Sequence, residues 1–390
     1  MAPNSIFENT EVAFKLKSDS QLERAFFLFK MIANEPLVKI GAVATKFALN
    51  ARLPVEGLIR STVFDHFCGG INENDCMPVV DRLSELGVKS VLDYYVEGKE
   101  GEEQFNNTLT KIIELTAFSK IKNAMPFSVF KPTGLGRFEL FQKVTGNIEL
   151  SDQEVIEWSQ VKKKFDTASK AASQANIKLL IDAEESWMQG AADELCTNLM
   201  AKYNKEKVVV FNTLQCYRWD RLNYLKQEHK KALAKGYKLG YKIVRGAYLE
   251  KENERAEAMG YKSPICETKE ATDACFNEVL NYILNNLSEI ELFVGTHNEE
   301  STYLAIRQMK ENKIAQNDSR VWFGQLYGMS DHITFNLAKL GYGVAKYIPF
   351  GPVKDVMPYL IMRAEENTSV AGQTGRELSL IKKEKQRRKL

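Results

Sequence analysis

Apolar residues along this chain follow two alternating patterns. Eight short runs, at residues 88–98, 126–132, 177–185, 208–215, 241–248, 292–298, 320–326 and 344–351, are rich in aliphatic, β-branched and aromatic residues, most of them nearly without interruption. Continuous apolar character over about four to eight residues is how a parallel strand covered on both faces reads. Between the runs, apolar residues recur at spacings of three and four, as in 152–165, 220–234, 271–287 and 299–312. That is the period of an amphipathic helix. Ser151 followed by Glu154 sets a capping box before the first of these segments. Short strands divided by helical crossovers predict parallel βαβ units. A doubly wound open sheet would alternate in the same way, but a count of eight over about 280 residues favours an α/β fold of the (β/α)8 barrel type.

Residues 1–87 precede the first run and predict an N-terminal helical arm. Within it, 21–50 reads as two helices split near Pro36, followed by a segment ending in a Gly69-Gly70 turn. The barrel is expected over 88–378 and a basic C-terminal tail over 379–390. From Ile381 onward six Lys or Arg stand against one Glu. A solvated tail is the plain expectation, and contact with an anionic membrane surface is the alternative.

Composition narrows the classes. With 390 residues, 44% hydrophobic, 27% charged and a net charge of +2, the chain is an ordinary globular protein with no global reason to bind nucleic acid. No stretch approaches ~18 uncharged apolar residues, so no membrane-spanning helix is expected. Glu8, Glu11, Asp19 and Glu23 argue against a transit peptide. A cytoplasmic location, with peripheral contact at the inner face of the membrane, is the resulting expectation. The six cysteines form no CxxC pair and there are only four histidines, so no metal site is expected and the thiols are read as free.

In a (β/α)8 barrel all strand ends open onto one mouth, which is where chemistry is sought. The second run ends in Lys131, the third in Asp182 and Glu184, and the fourth in Gln215. The fifth ends in Arg245-Gly246-Ala247-Tyr248, the sixth in Thr296-His297-Asn298, the seventh in Gln325-Leu326 and the eighth in Tyr347. Asp182 and Glu184 are read as turning to opposite sides, so they do not form a glycosidase pair. Cations, hydrogen-bond donors and tyrosines suit a large, flat, anionic ligand, and a flavin dinucleotide fits that description. After the eighth run, Tyr359, Met362, Arg363 and Glu366 fall on one helical face at i, i+3, i+4 and i+7. Arg363 there could take an amino-acid carboxylate by a bidentate pair while Tyr359 covers the apolar body. The plain alternative is a helix surface carrying an Arg363–Glu366 pair.

The motifs FSVFKPTG, IDAEE, LQCYRWD, IVRGAYL, GTHN, GQLYGM, KYIPFG and PYLIMRAEEN occur in this order. They resemble the proline dehydrogenase family, FAD enzymes on a distorted (β/α)8 barrel, over residues 63–378. The likeness is nearest to the monofunctional, mitochondrial-type branch. The resemblance implies that Asp182 is an active-site acid and that Lys242 stands where many members carry Arg. It implies flavin contacts for Ile181, Gln215, Arg245, Gly246, Ala247, Thr296 and His297, with Gln325 assigned to the same set. Lys131 and Arg363 match groups that hold the substrate carboxylate, so the catalytic set is Asp182, Lys242, Lys131 and Arg363. Tyr248, Leu326, Tyr347 and Tyr359 look like the walls around a five-membered ring, and Glu366 like an acid that pairs with cations in the same pocket. One departure stands out: Met362 occupies a position where the family usually carries a first Arg. A lost charged hydrogen bond is worth ~1.5–3 kcal/mol.

The implied activity is oxidation of L-proline to Δ1-pyrroline-5-carboxylate, with electrons passed from FAD to a quinone, in proline catabolism. Hydroxyproline dehydrogenase is the near alternative, against which Tyr347 argues by leaving little room for a ring hydroxyl. A catalytically weakened FAD-binding homologue is suggested by Met362, and a Schiff-base lyase by Lys131.

Overall fold

A computed structural model of the chain describes residues 3–34, 36–38, 40–41, 43, 56–95, 101–369 and 373–390. The second helix expected between Pro36 and Asn50 lies largely outside these residues. Each of the eight apolar runs overlaps a strand: β1 (Lys89–Tyr94), β2 (Phe127–Phe130), β3 (Lys178–Ile181), β4 (Val210–Gln215), β5 (Leu239–Val244), β6 (Ile290–Gly295), β7 (Val321–Leu326) and β8 (Val344–Phe350), with β5 and β6 beginning two residues ahead of their runs. Ahead of β1 come α1 (Asp19–Ile32) and α2 (Glu73–Glu85). The crossovers hold α3 (Glu102–Ile121), α4 (Phe138–Thr145), α5 (Asp152–Ala175), α6 (Ser186–Tyr203) and α7 (Arg221–Lys235). Then follow α8 (Leu249–Met259), α9 (Lys269–Leu284), α10 (Glu299–Glu311), α11 (Asp331–Lys339), α12 (Val353–Ser369) and α13 (Gln373–Arg388). The capping box forms as expected. Ser151 Oγ accepts from the Glu154 amide, and the Glu154 side chain reaches back to the Ser151 amide at 3.0 Å. At its other end α5 stops at Asn176 in the left-handed region (φ 59°).

The strand order in the sheet is β1-β8-β7-β6-β5-β4-β3-β2. The ladders are parallel, and this succession of neighbours is that of a (β/α)8 barrel. Contacts divide the chain into two compact units, Met1–Glu97 with Gln325–Leu390, and Gly98–Gly324.

In the Gly98–Gly324 unit, β4 is buried at every position, its polar Asn212, Thr213 and Gln215 included. Phe127 meets Phe293 edge-on at 5.2 Å and Trp322 at 5.1 Å. A side chain at Gly324 would place its Cβ 2.1 Å from the Phe293 ring, so close packing dictates glycine there.

In the other unit β1 pairs with β8 from Lys89↔Ala345 to Tyr94↔Phe350. The segment expected as a solvated tail is the C-terminal part of α13. Its Leu380 and Ile381 pack with Phe14, Leu22, Ala25 and Phe29. Arg388 donates to the carbonyls of Phe14 (2.9 Å) and Lys17 (2.8 Å), and Glu384, fully buried, accepts from Arg387 and Arg388. Six basic residues obscured a helix whose inner face holds Leu380, Ile381 and Glu384.

Candidate active site

Strand termini of the Gly98–Gly324 unit gather most of the expected site residues. Asp182 follows the last residue of β3, its amide donating to the Phe130 carbonyl at 3.0 Å. Its carboxylate accepts from Lys242 Nζ, which rises from the middle of β5 and is 6% exposed. Period-two alternation alone would put Asp182 and Glu184 on one face. The divergence expected of them arises instead because β3 ends at Ile181 and both lie beyond the pleat. Glu184 turns to the β2 end, accepting from the Thr133 amide (2.9 Å) and hydroxyl (2.7 Å). Burial pushes its carboxyl up to about 7, against the attraction of Lys131 and the two Thr133 bonds.

Arg245, one residue past β5, is held on three sides. Nε donates to Asp273 at 2.8 Å, one terminal nitrogen to Thr296 Oγ1 at 2.8 Å and the other to Ser301 Oγ at 3.0 Å. Its guanidinium lies 4.5 Å from the Phe276 ring centroid. This frame fixes a cation where Thr296 and the exposed Gly246-Ala247 backbone are at hand. Gly246 has φ 137°, and a Cβ there would fall 2.5 Å from the Tyr217 ring. Only glycine fits. Ile181 is buried, and its carbonyl accepts from Thr213 Oγ1 at 2.8 Å. Tyr248 lies under the Lys251 ammonium at 5.5 Å, and His297 and Lys131 are half-buried.

The Met1–Glu97, Gln325–Leu390 unit holds the rest. Gln325 is buried and its Oε1 accepts from Thr334 Oγ1 at 2.9 Å. Tyr347 is buried in β8. On α12, the Arg363 guanidinium sits 5.5 Å from the Tyr359 ring, and Tyr359 packs on Tyr95 at 5.3 Å. Met362 and Leu326 pack against the apolar cluster that contains Tyr359 and Leu360. The expected Tyr359/Arg363 face therefore forms, with Met362 turned to hydrophobic neighbours. The side chain of Glu366 lies outside the described residues.

The donor set fits a flavin. Gln215 Oε1, at the end of β4, is a buried acceptor with no hydrogen-bond partner. An isoalloxazine offers an N–H on its pyrimidine edge to such an acceptor. The rigid cation of Arg245 and the open Gly246 backbone suit the anionic parts of the dinucleotide.

Comparison with known proteins decides the family. The proline dehydrogenase family profile matches residues 76–376. The chain belongs to the proline dehydrogenase family. It is therefore an oxidoreductase of a family characterised by FAD. A carbapenem antibiotics biosynthesis protein of Pectobacterium carotovorum subsp. carotovorum is 33% identical over 333 residues, covering 85% of this chain and 86% of that protein. The mitochondrial proline dehydrogenase 1 of Dictyostelium discoideum is 30% identical, covering 99% of this chain and 75% of that protein. Among solved structures, proline utilization A from Bdellovibrio bacteriovorus, inactivated by N-propargylglycine, superposes with a TM-score of 0.73 at 18% identity. That match covers 97% of this chain and 39% of the structure, so the chain spans well under half of that larger protein.

Sequence reading missed the polar network behind the family's strand-end motif. Gln189 Oε1 accepts from the Glu184 amide (2.8 Å), and its Nε2 donates to Asp193 (2.8 Å). Asp193 also receives Asn212 at 2.9 Å and Arg221 at 3.0 Å. Asp193 and Asn212 are uncommon core residues, and an acid and an amide inside apolar elements were the available signal. Among the described residues no cluster of metal-ligating side chains occurs, and no helix is long and apolar enough to cross a membrane.

Proposed function

We propose that this family member oxidises L-proline to Δ1-pyrroline-5-carboxylate with FAD as its resident cofactor and a quinone as electron acceptor. The observation that carries the reading is the framed Arg245 at the end of β5, the strand that also supplies Lys242 to the Asp182–Lys242 pair, in a chain of this family. When bound, the flavin supplies the redox chemistry, taking hydride from the ring carbon next to the amine. The chain's own residues bind and orient. Gln215 Oε1 receives the pyrimidine-edge N–H, and Arg245 balances negative charge on the cofactor. Ile181, Gly246, Ala247, Thr296, His297 and Gln325 complete its seat. Lys131 and Arg363 grip the substrate carboxylate, Tyr248, Leu326, Tyr347 and Tyr359 wall the ring, and Glu366 pairs with the cations. Lys242 holds the Asp182 carboxylate in place beside the reacting groups.

Residues 88–378 form the catalytic barrel in this reading, 1–87 the arm and 379–390 a basic terminus. A lipid-soluble acceptor requires access to a membrane face, so this reading includes peripheral membrane contact, at the inner face if the protein is cytoplasmic. Met362 supports a second reading, a homologue with a weakened grip on carboxylate, because its side chain packs on apolar residues and offers no donor. Dye-linked turnover by the FAD-loaded protein separates the possibilities. Turnover of L-proline above trans-4-hydroxyproline supports the proposal, and the reverse order assigns hydroxyproline. Full FAD content without turnover of either assigns a binding homologue. Borohydride trapping of a carbonyl substrate on Lys131 would assign the lyase.

A further inference from the structure

Glu184 is committed to the turn that carries Lys131. β2 ends at Phe130, opposite Ile181 of β3, and Lys131 then opens the 3-10 turn Pro132–Gly134. The Gly134 and Leu135 amides close this turn on the carbonyls of Lys131 and Pro132, each at 3.0 Å. Pro132 has no N–H to give. The remaining amide is that of Thr133, and Glu184 Oε2 takes it at 2.9 Å while Oε1 takes the Thr133 hydroxyl at 2.7 Å. Both oxygens of one buried carboxyl group therefore hold the residue two positions after Lys131.

Glu184 is itself held from behind. Its amide donates to Gln189 Oε1 on α6, Gln189 Nε2 donates to Asp193, and Asp193 is anchored by Asn212 of β4 and Arg221 of α7. The other acids of this region have partners of their own. Asp182 has Lys242, Glu185 has Lys251 of α8 at 3.1 Å, and Glu252 of α8 accepts from the Ser186 amide and hydroxyl, each at 2.6 Å. Among charged groups Lys131 acts most strongly on Glu184, and Glu185 opposes it. Charges this far from water are weakly screened. An ionised Glu184 thus draws on the ammonium that a ligand carboxylate would use, and a protonated one does not.

We infer, from the assignment of Lys131 to the substrate carboxylate proposed above, that Glu184 is a positioning residue for carboxylate binding: its clasp on Thr133 fixes the backbone that carries Lys131, and its charge competes with the ligand for the Lys131 ammonium. Burial pushes the Glu184 carboxyl up to about 7, so this competition sets in across neutral pH. A ligand carboxylate then binds with uptake of a proton, and its affinity falls as pH rises through about 7. Protonation leaves the clasp in place. The carbonyl oxygen still accepts from the Thr133 amide, and the acid O–H can donate to the Thr133 hydroxyl oxygen. Gln at 184 would offer the same two contacts without the charge.

Isothermal titration calorimetry of the full chain, supplied with FAD, tests this with cyclopentanecarboxylate, which has the ring size and carboxylate of proline but no amine to oxidise. The wild-type Kd should rise about threefold or more from about pH 6 to about pH 8. Glu184→Gln should lose that dependence and bind more tightly than wild type at the upper pH. Glu184→Ala, which lacks the clasp as well as the charge, should bind about tenfold more weakly than Glu184→Gln. In proline turnover that difference should appear in KM, with kcat little changed. If Glu184→Ala does not fold, the pH comparison of wild type with Glu184→Gln decides alone. No binding by the wild type, a wild-type Kd that ignores pH, a Glu184→Gln variant that keeps the wild-type dependence, or a folded Glu184→Ala that binds as well as Glu184→Gln overturns the inference. Failure of proline oxidation shows separately, as wild-type protein that binds the probe but does not turn over proline, and leaves these comparisons standing.

Discussion

Asp182, one residue past β3, and Lys242, in β5, form an ion pair across β4, the strand that lies between theirs. Lys242 is almost wholly buried and Asp182 is 19% exposed. Removing one partner of such a pair leaves the other charged and poorly solvated. Lys242→Met is expected to cost about 3 kcal/mol, toward the low end for buried pairs because Asp182 keeps some water. Urea unfolding measures this, and proline turnover should fall at least a hundredfold. Lys242→Arg keeps the charge and should keep most of the stability.

Glu184 makes stability depend on pH in an uncommon direction. Its folded-state pKa of about 7 lies above the ordinary value of 4.5. Between these values the folded protein binds more protons than the unfolded chain, so stability falls as pH rises from about 5 to about 7. The whole effect is at most about 3 kcal/mol. Glu184→Gln removes the titration. The difference in unfolding free energy between variant and wild type should therefore shift in the variant's favour across that window and level off above it. A flat difference would mean that Glu184 ionises normally.

At Gly246 backbone and packing make the same demand. A Cβ at φ 137° would be strained and would also collide with Tyr217. Gly246→Ala should lower stability by about 1–3 kcal/mol and reduce bound flavin, measured by absorbance per chain after gel filtration.

Arg245 offers a cleaner test of geometry. Lys at that position keeps the charge but loses the fork that serves Asp273, Thr296 and Ser301 together. Arg245→Lys should weaken FAD binding at least tenfold by fluorescence titration while the circular dichroism spectrum is unchanged.

Met362→Arg adds a guanidinium one position before Arg363. In the proposed site the KM for proline should fall by one to two decades, the ~1.5–3 kcal/mol of a charged hydrogen bond. An unchanged KM would place Met362 outside the carboxylate grip.

The strands were legible because a parallel strand covered on both faces leaves a nearly continuous apolar run, and every such run overlaps one. Ser151 and Glu154 announced α5 because a capping box is local chemistry. Arg245 and Thr296 were marked by their places at strand ends, and the structure joins them directly. Contacts between distant residues were not legible. Lys17 and Asp331 meet through the fold alone, and no pattern near either one signals the other. Glu184 was noticed as an acid, but its commitment to Thr133 depends on where β3 stops. The terminal basic residues misled because charge density hid the spacing of Leu380, Ile381 and Glu384, which face inward.

The most direct test is an anaerobic titration. The purified chain is loaded with FAD, freed of excess, and mixed with L-proline while its visible flavin band is followed. Stoichiometric FAD retention and bleaching of that band by proline, with reoxidation on adding a soluble quinone, is the expected result. A chain that retains no FAD, or a bound flavin that proline leaves oxidised, would contradict flavin-dependent proline oxidation by this protein.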